Sequence, residues 1–293
     1  MTFKEKIKAG KFLVTVEFGP EKGTETQPFI DIGKSIADRV DGFNVTDLQS
    51  AVMRLGSLAL CIKLKEAGLE PILQMTCRDR NRIGLQSDLL GASALGIKNV
   101  LCMTGDHVTA GDHKQAKPVY DVESVQLLKI VDTLNNGRDM AGNELKGATD
   151  FLQGAVVTPE SNPIEPQLIK FVKKVSAGAK FFQTQAIFDI EKFRIFMSCA
   201  KEYSIKILAG IVVLKSVGMA NFMNNHIPGI KVPQDLIDEL KASDKENVLD
   251  TGLNIAARLI RQLKDENICD GVHIMAPGME DKVPVIMEMA GLS

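Results

Sequence analysis

The sequence lacks the cysteine and histidine patterns that hold metal clusters or structural disulfides. Its five cysteines are dispersed and include no CxxC pair, and its four histidines form no HxxxH pair. Dispersed cysteines in odd number are typical of reduced thiols in a cytosolic protein. They argue against an iron–sulfur cluster or a structural zinc site held by this chain alone, so we predict no metal site.

Long apolar runs and an excess of charge of either sign are also missing. No stretch has the length and hydrophobicity of a transmembrane helix, and residues 1–12 lack the apolar centre of a signal peptide. The 35 Lys and Arg and 37 Asp and Glu residues give a net charge of −2. This balance gives no reason to expect nucleic acid or an anionic membrane as a partner. We therefore expect a cytoplasmic protein that binds neither.

The sequence does contain a regular alternation of short β-rich runs with longer segments of helical period. Several runs are nearly all apolar, which is typical of parallel strands buried on both faces. An open dinucleotide-binding sheet would show a GxGxxG turn after its first strand, whereas this chain reads Glu17-Phe18-Gly19-Pro20-Glu21 there. Eight runs, each followed by helical sequence, predict an α/β fold: a single (β/α)8 TIM barrel in one domain of residues 1–293. The predicted strands are Phe12–Phe18, Gly42–Thr46, Pro71–Thr76, Asn99–Thr104, Gln153–Thr158, Lys180–Gln185, Lys206–Val213 and Gly271–Met275.

Amphipathic segments between the runs predict helices at Ala51–Glu66, Pro163–Val175 and Val248–Leu263. The segment between the fourth and fifth strands is too long for a simple βα connection. It predicts a loop at 105–118 followed by a helix at Val122–Leu134.

Polar residues close several of the otherwise apolar strands. The active site of such a barrel lies at the C-terminal ends of its strands, and a buried polar side chain is costly unless it meets a partner or a ligand. Two carboxylates, Glu17 and Asp106, and one amide, Gln185, therefore suit acid–base chemistry on a polar heterocycle. Each has a plainer interpretation: Glu17 capping a loop or pairing with a lysine, Asp106 forming a tight turn with Gly105, and Gln185 satisfying a backbone group.

Two further residues have a structural interpretation that outweighs the functional one. His273 lies inside the last predicted strand, where a histidine is more often a satisfied core residue than a catalyst. Lys174 follows Lys173 on a predicted helix, and such a pair usually lies on a solvated face.

Taken in order, the strand ends resemble those of the bacterial methylenetetrahydrofolate reductase family over nearly the whole chain. Each matching piece is weak alone, but their order and spacing make the combination specific. The pieces are Val16-Glu17-Phe18 with Pro20, Val45-Thr46, Leu73-Gln74-Met75-Thr76-Cys77, Thr104-Gly105-Asp106, Thr158-Pro159-Glu160, Ala177-Gly178-Ala179 with Thr184-Gln185, Phe188-Asp189, and Gly210-Ile211.

The resemblance implies an oxidoreductase of one-carbon metabolism that reduces 5,10-methylenetetrahydrofolate to 5-methyltetrahydrofolate with a flavin. Glu17 matches the family's general acid, which promotes opening of the five-membered ring to an iminium cation that accepts hydride from reduced flavin. Asp106 matches the catalytic aspartate beside the flavin, where its charge stabilises the developing cation. Thr46 and Gln185 match substrate-binding residues.

The resemblance also implies where the flavin binds. In relatives a histidine stands at the position of Gln74, an arginine at Thr104, and a tyrosine–histidine pair at Thr158 and Asn162. These departures touch the ribityl and nucleotide side of the flavin and weaken FAD relative to FMN. FAD nevertheless stays the expected cofactor, with FMN as the alternative. The residues at flavin-binding positions are Gln74, Thr104, Gly105, Asp106, Thr158, Asn162 and Lys174, of which Lys174 suits the phosphate by its charge.

The implied partners are methylenetetrahydrofolate and an electron donor, either NADH or a partner electron-transfer subunit, and we expect a homo-oligomer or a hetero-complex. Either Phe222 or Met223 aligns with the side chain that stacks on the pterin. Two other functions stay open: a flavin-free pterin-binding methyltransferase barrel, and a non-catalytic scaffold subunit of a redox complex.

Overall fold

Eight short strands pair side by side in chain order, and the eighth returns to pair with the first. The computed structural model describes residues 1–244 and 246–292. In that part of the chain the strands are β1 (Leu13–Phe18), β2 (Gly42–Val45), β3 (Pro71–Thr76), β4 (Asn99–Met103), β5 (Leu152–Val157), β6 (Phe181–Ala186), β7 (Lys206–Val212) and β8 (Gly271–Met275). Because β1 pairs in parallel with both β2 and β8, the sheet closes. The predicted (β/α)8 barrel is confirmed, and each strand lies within one residue of its predicted bounds.

Helices pack against the outer face of the barrel. Over the same described residues they are α1 (Phe3–Ala9), α2 (Gln27–Ser35), α3 (Ser57–Glu66), α4 (Arg82–Ala94), α5 (Ser124–Asn135), α6 (Glu165–Ser176), α7 (Ile190–Ala200), α8 (Val217–His226), α9 (Gln234–Ala242), α10 (Val248–Asp265) and α11 (Val283–Met289). Short 3-10 turns lie at Gln49–Ala51, Val108–Ala110 and Glu280–Lys282. Among these described helices, none combines the length and the apolar character needed to cross a bilayer.

One predicted helix boundary is wrong. The helix predicted at Ala51–Glu66 begins only at Ser57, because Ser50 and Ala51 have left-handed backbone (φ of 57° and 58°) and Gly56 is extended at the N-cap. The segment that was expected to be helical is instead a loop at the C-terminal end of the barrel. The other predicted helices are found with ends shifted by at most two residues: Val122–Leu134 as α5, Pro163–Val175 as α6 and Val248–Leu263 as α10.

The inside of the barrel changes from apolar to polar along the direction of the strands. Residues two apart on a strand face the same side, so Leu13, Thr15 and Glu17 of β1 all point inward. The lowest layer is apolar and is closed from below by α1, whose Phe3 meets Phe181 edge-to-face at 5.3 Å. The layers above carry hydroxyl, amide and carboxyl groups. The apolar layer consists of Leu13, Ile72, Leu101, Leu152, Phe181 and Leu208, with Phe3 and Ile7.

Gly210 allows β6 and β7 to approach closely beside Gln185. Its N–H donates to Thr184 Oγ1 at 2.8 Å, and its carbonyl accepts from Ile187 N at 2.8 Å. A Cβ atom at Gly210 would lie 2.3 Å from the Thr184 carbonyl oxygen and 2.8 Å from that of Gln185. The pairing register between β6 and β7 shifts at this point. Glycine is therefore required for the backbone geometry that presents Gln185.

We expect Gly210→Ala to reduce the free energy of unfolding by about 1–3 kcal/mol, because a backbone carbonyl cannot move away as a flexible side chain can. The matched control is Gly91→Ala in α4, where a Cβ would meet nothing within 4 Å. That variant should gain about 0.5–1 kcal/mol from helix propensity. Denaturant unfolding monitored by circular dichroism measures both. Equal stability of Gly210→Ala and the wild type would show that the backbone shifts enough to remove the close contact between the new Cβ and the Thr184 carbonyl oxygen.

Candidate active site

A cavity of about 390 Å³ opens at the C-terminal ends of the strands, where the barrel predicts its active site. It brings together nine of the ten sequence-predicted site residues. Asn162 is the exception: it lies on an exposed loop before α6 and outside the lining, and its assignment stays a prediction. The nine are Glu17, Thr46, Gln74, Thr104, Gly105, Asp106, Thr158, Lys174 and Gln185.

Glu17 projects from the end of β1 with only 12% of its side chain exposed. Gln49 Nε2 donates to its Oε1 at 3.3 Å, and Gln74 Nε2 donates to its Oε2 at 3.2 Å. His273 Nε2 lies 3.5 Å from the same Oε2. Within the described residues, the polar groups that contact the Glu17 carboxyl group are thus two amides and an imidazole. The plainer interpretation of a lysine pair is wrong.

A second cavity of about 270 Å³ adjoins the first, and Glu17 and Gln49 line both. Arg54 and Glu280 lie on its wall. Burial raises the pKa of Glu280, and the negative charge of Glu17 adds to the rise. Glu17 therefore stands where the two cavities meet, so groups bound in either one can reach it.

Asp106 lies at the exposed rim of the first cavity on a backbone held by two side chains. Tyr120 Oη donates to its carbonyl oxygen at 2.8 Å, and Arg78 Nη1 donates to it at 3.3 Å. Gly105 before it has a φ of 89°, and a Cβ there would lie 2.9 Å from Thr76 Cβ. Residues 104–107 form no turn or bend, so the plainer interpretation of a tight turn is wrong. The left-handed backbone of Gly105 and the two donors set Asp106 at the cavity.

Asp47 is a buried carboxylate of the site that the sequence analysis did not single out. Its Oδ2 accepts from Thr76 N at 2.9 Å and from Thr76 Oγ1 at 3.0 Å, and it forms an ion pair with Arg80. Arg78 Nη2 donates to the Leu48 carbonyl at 3.1 Å, which holds Leu48 in its left-handed conformation (φ 50°). The sequence feature that could have identified Asp47 is its position directly after the predicted second strand. The two arginines are recognisable only from the tertiary structure, because each reaches a neighbouring loop.

Positive charge is concentrated at the end of the cavity beside α6. The Lys174 side chain is only 8% exposed and its Nζ donates to the Val156 carbonyl at 2.5 Å, whereas Lys173 is exposed. The expected solvated face is therefore wrong for Lys174. Burial lowers its pKa to about 8, with the charge of Lys170 as a further cause. Lys170 also lines the cavity and pairs with Glu123 at 3.1 Å, so this end can receive an anion.

One buried polar atom of the lining has no hydrogen-bond partner within the described residues. Thr46 Oγ1 is buried and makes no hydrogen bond within the described structure. A buried hydroxyl without a partner is costly, and a ligand atom in the cavity would satisfy it. Within the described residues, no group of three or more His, Cys, Asp or Glu side chains is arranged to hold a metal ion.

The family model of methylenetetrahydrofolate reductase matches residues 2–291. The chain belongs to this family. The predicted family is thereby confirmed. Its bacterial members include 5,10-methylenetetrahydrofolate reductase of Buchnera aphidicola, which is 24% identical over 78% of this chain and 73% of its own length.

Eukaryotic members are similar to the chain over a smaller part of their length. The probable methylenetetrahydrofolate reductase (NADPH) of Caenorhabditis elegans is 24% identical over 78% of this chain and 33% of its own length. Methylenetetrahydrofolate reductase 2 of Schizosaccharomyces pombe is 26% identical over 75% and 35%. The chain therefore spans about a third of the length of these relatives.

A solved structure from Clostridium thermocellum has the same fold. It covers 99% of this chain and 96% of its own, with a TM-score of 0.64 and 18% sequence identity. That protein is described as binding two copies of 5-methyl-5,6,7,8-tetrahydrofolic acid. At this identity the likeness establishes the fold alone.

We expect Lys174→Met to change the pH dependence of stability. The folded pKa of about 8 lies below the ordinary 10.5, so between these values the unfolded chain binds more protons and the wild type gains stability as pH rises. The methionine variant lacks this gain. The free energy of unfolding of the variant relative to the wild type should be highest below pH 8 and fall by up to about 3 kcal/mol towards pH 10.5.

Chemical unfolding of both proteins across this pH range checks the expectation. Lys173→Met is the matched control, because that side chain is exposed in the neighbouring position. Its difference from the wild type should stay constant with pH. A constant difference for Lys174→Met as well would mean that Lys174 keeps its ordinary pKa.

Proposed function

We propose that the chain catalyses flavin-dependent reduction of 5,10-methylenetetrahydrofolate to 5-methyltetrahydrofolate. The observation that carries the proposal is Glu17, a carboxyl group held by amide donors where two cavities meet at the strand ends. Family membership and the names of the bacterial relatives support the reaction. The folate bound by the Clostridium thermocellum protein supports the substrate class.

The residues of the larger cavity fit a flavin. Lys174 and Lys170 offer positive charge for a phosphate, and the Gln74 amide offers hydrogen bonds along the wall. The volume of about 390 Å³ is within the range of small-molecule sites. A bound flavin would supply the hydride. We propose FAD, with FMN as the alternative.

The chain's own residues then divide the remaining work. Glu17 would protonate the ring nitrogen that leaves when the five-membered ring of the substrate opens. The charge of Asp106 would stabilise the cation that forms. Gln185 and Thr46 would bind the pterin. Phe222 is the better candidate for stacking on it, because Phe222 is exposed on α8 whereas Met223 is buried in the core.

We further propose that residues 1–293 act as one flavin-binding domain in the cytoplasm, within a homo-oligomer or a hetero-complex. Closure of the barrel within the described residues supports a single domain. The dispersed cysteines support a reducing compartment.

Glu17→Gln tests the catalytic assignment. The amide keeps the shape of the side chain but has no acidic proton, so we expect folate turnover by the flavin-loaded protein to fall by about 10²–10⁴-fold. Flavin absorbance and reduction of the flavin should be unaffected. Glu66→Gln, the same substitution on the exposed face of α3, is the matched control and should behave as the wild type.

Four outcomes would contradict the proposal in different ways. Full folate turnover by Glu17→Gln would remove Glu17 as the acid. Loss of flavin from that variant would make Glu17 structural. Failure of the wild type to bind any flavin, with retained folate binding, would favour the methyltransferase barrel, and loss of both would favour the scaffold subunit.

The electron donor is either NADH or a partner subunit, and we propose the partner. The sequence carries no cysteine cluster, so a one-electron carrier would have to dock from outside and reach the flavin through the barrel mouth. We expect the isolated, flavin-loaded chain to react with reduced viologen but only slowly with NADH. Stopped-flow mixing measures both rates. Rapid and complete bleaching of the flavin at modest NADH would show that no partner is needed.

A further inference from the structure

Four polar side chains fill the middle of the barrel directly below Glu17. They are Thr15, Asn44, Gln183 and His273, from β1, β2, β6 and β8, and all are almost completely buried. Bulky branched residues usually occupy this layer of such a barrel. Because buried polar groups are costly without partners, the hydrogen bonds of this layer determine which arrangement is stable.

The two amides of the layer fix each other's orientation. Asn44 Nδ2 donates to Gln183 Oε1 at 2.7 Å, and Gln183 Nε2 donates in return to Asn44 Oδ1 at 2.8 Å. The second hydrogen on Gln183 Nε2 has two acceptors within reach, Thr15 Oγ1 at 3.0 Å and His273 Nδ1 at 3.4 Å, and the shorter contact is with Thr15. Thr15 Oγ1 is therefore an acceptor for Gln183, and the single hydroxyl hydrogen of Thr15 has to be donated elsewhere.

Two acceptors are within reach of that hydrogen. His273 Nδ1 lies 3.0 Å from Thr15 Oγ1, and the Val272 carbonyl oxygen lies 3.4 Å away. Hydroxyl hydrogen bonds weaken beyond about 3.0 Å, so the imidazole nitrogen is the better acceptor. When Nδ1 accepts a hydrogen bond, a neutral imidazole carries its proton on Nε2.

That Nε2 faces Glu17. Its distance to Glu17 Oε2 is 3.5 Å, and Gln74 Nε2 already donates to the same oxygen at 3.2 Å. We propose that His273 is a positioning residue for Glu17: Thr15 and Gln183 hold it as the neutral Nε2–H tautomer, and this N–H is directed at Glu17 Oε2.

The arrangement also selects the oxygen of Glu17 that carries the acidic proton. Oε2 has two nitrogen donors directed at it, whereas Oε1 has only Gln49 Nε2 at 3.3 Å. The lone pair that remains free for a proton is therefore on Oε1. The catalytic consequence rests on the proposed function, but the tautomer of His273 does not.

Nitrogen NMR of the imidazole rings tests the tautomer without any cofactor or substrate. The protein has only four histidines, so ¹⁵N-histidine labelling gives four ring systems, and the His273→Gln variant assigns one by its loss. We expect the His273 ring to be neutral, with a protonated Nε2 and an unprotonated Nδ1. A ring protonated on Nδ1 alone, or on both nitrogens, would overturn the proposal.

Thr15 supplies a matched pair of variants that leave His273 and Glu17 in place. Thr15→Ser retains the hydroxyl and should retain the Nε2–H tautomer. Thr15→Val is nearly isosteric but removes the hydroxyl donor. The ring should keep its proton on Nε2, which still faces Glu17, but the ¹⁵N resonance of Nδ1 should move downfield because this nitrogen loses its closest donor. An unmoved Nδ1 resonance in Thr15→Val would show that Thr15 does not donate to this nitrogen, and the proposed network would be wrong.

Turnover of the flavin-loaded enzyme tests the consequence for Glu17. His273→Phe should lower kcat for folate by about 10- to 100-fold, as when a group that orients a metal ligand is removed, with KM unchanged. His273→Gln, which keeps an N–H donor, should recover most of this loss. An equal loss in the two variants would overturn the positioning role. Absence of folate turnover in the wild type would instead overturn the proposed function, and the NMR result would still decide the tautomer.

Discussion

The rest of the structure depends on filling the inside of a closed parallel barrel. Eight strands bring their inward side chains to one axis, and every second residue of each strand has to fit beside those of its neighbours. At the lower end apolar side chains meet this requirement, and α1 closes it with Phe3 and Ile7. Above them the same positions hold polar groups. These can remain buried only because they satisfy one another, as in the reciprocal amide pair of Asn44 and Gln183.

The rim of the site depends on a second set of interactions, which run between loops. Arg78 donates to the carbonyl groups of Leu48 and Asp106, which follow two different strands, and Asp47 holds the end of β3 through Thr76. Asp47 also forms a buried ion pair with Arg80. Breaking this pair would leave an uncompensated charge, so these contacts hold the loops in one arrangement. The cavity is thereby shaped before any ligand enters it, which reduces the cost of ordering the site on binding.

Prediction from the sequence succeeded where a short-range pattern decides the outcome. Strand positions follow from runs of apolar β-formers, and Glu17, Asp106 and Gln185 were found because a polar residue that ends a buried strand has to face the C-terminal end of the barrel. Prediction failed at residues 51–56, where the composition is helical but the backbone is left-handed at Ala51 and extended at Val52 and Gly56. The residue pattern also failed for Lys174, since a lysine pair on a helix gives no sign of which member turns towards the cavity, and only the family resemblance singled out Lys174.

The sequence by itself determined the barrel, its strand bounds and which polar residues close the strands around the cavity, because period and composition act over a few neighbouring residues. Only the tertiary structure decided which hydrogen-bond partners those residues have. His273 contacts Thr15 across 258 positions of the chain, and Gln183 contacts Asn44 across 139. Whether a buried histidine fills space or directs an N–H at a carboxyl group depends on which side chains closure of the barrel brings within 3 or 4 Å, and no local pattern encodes those distances.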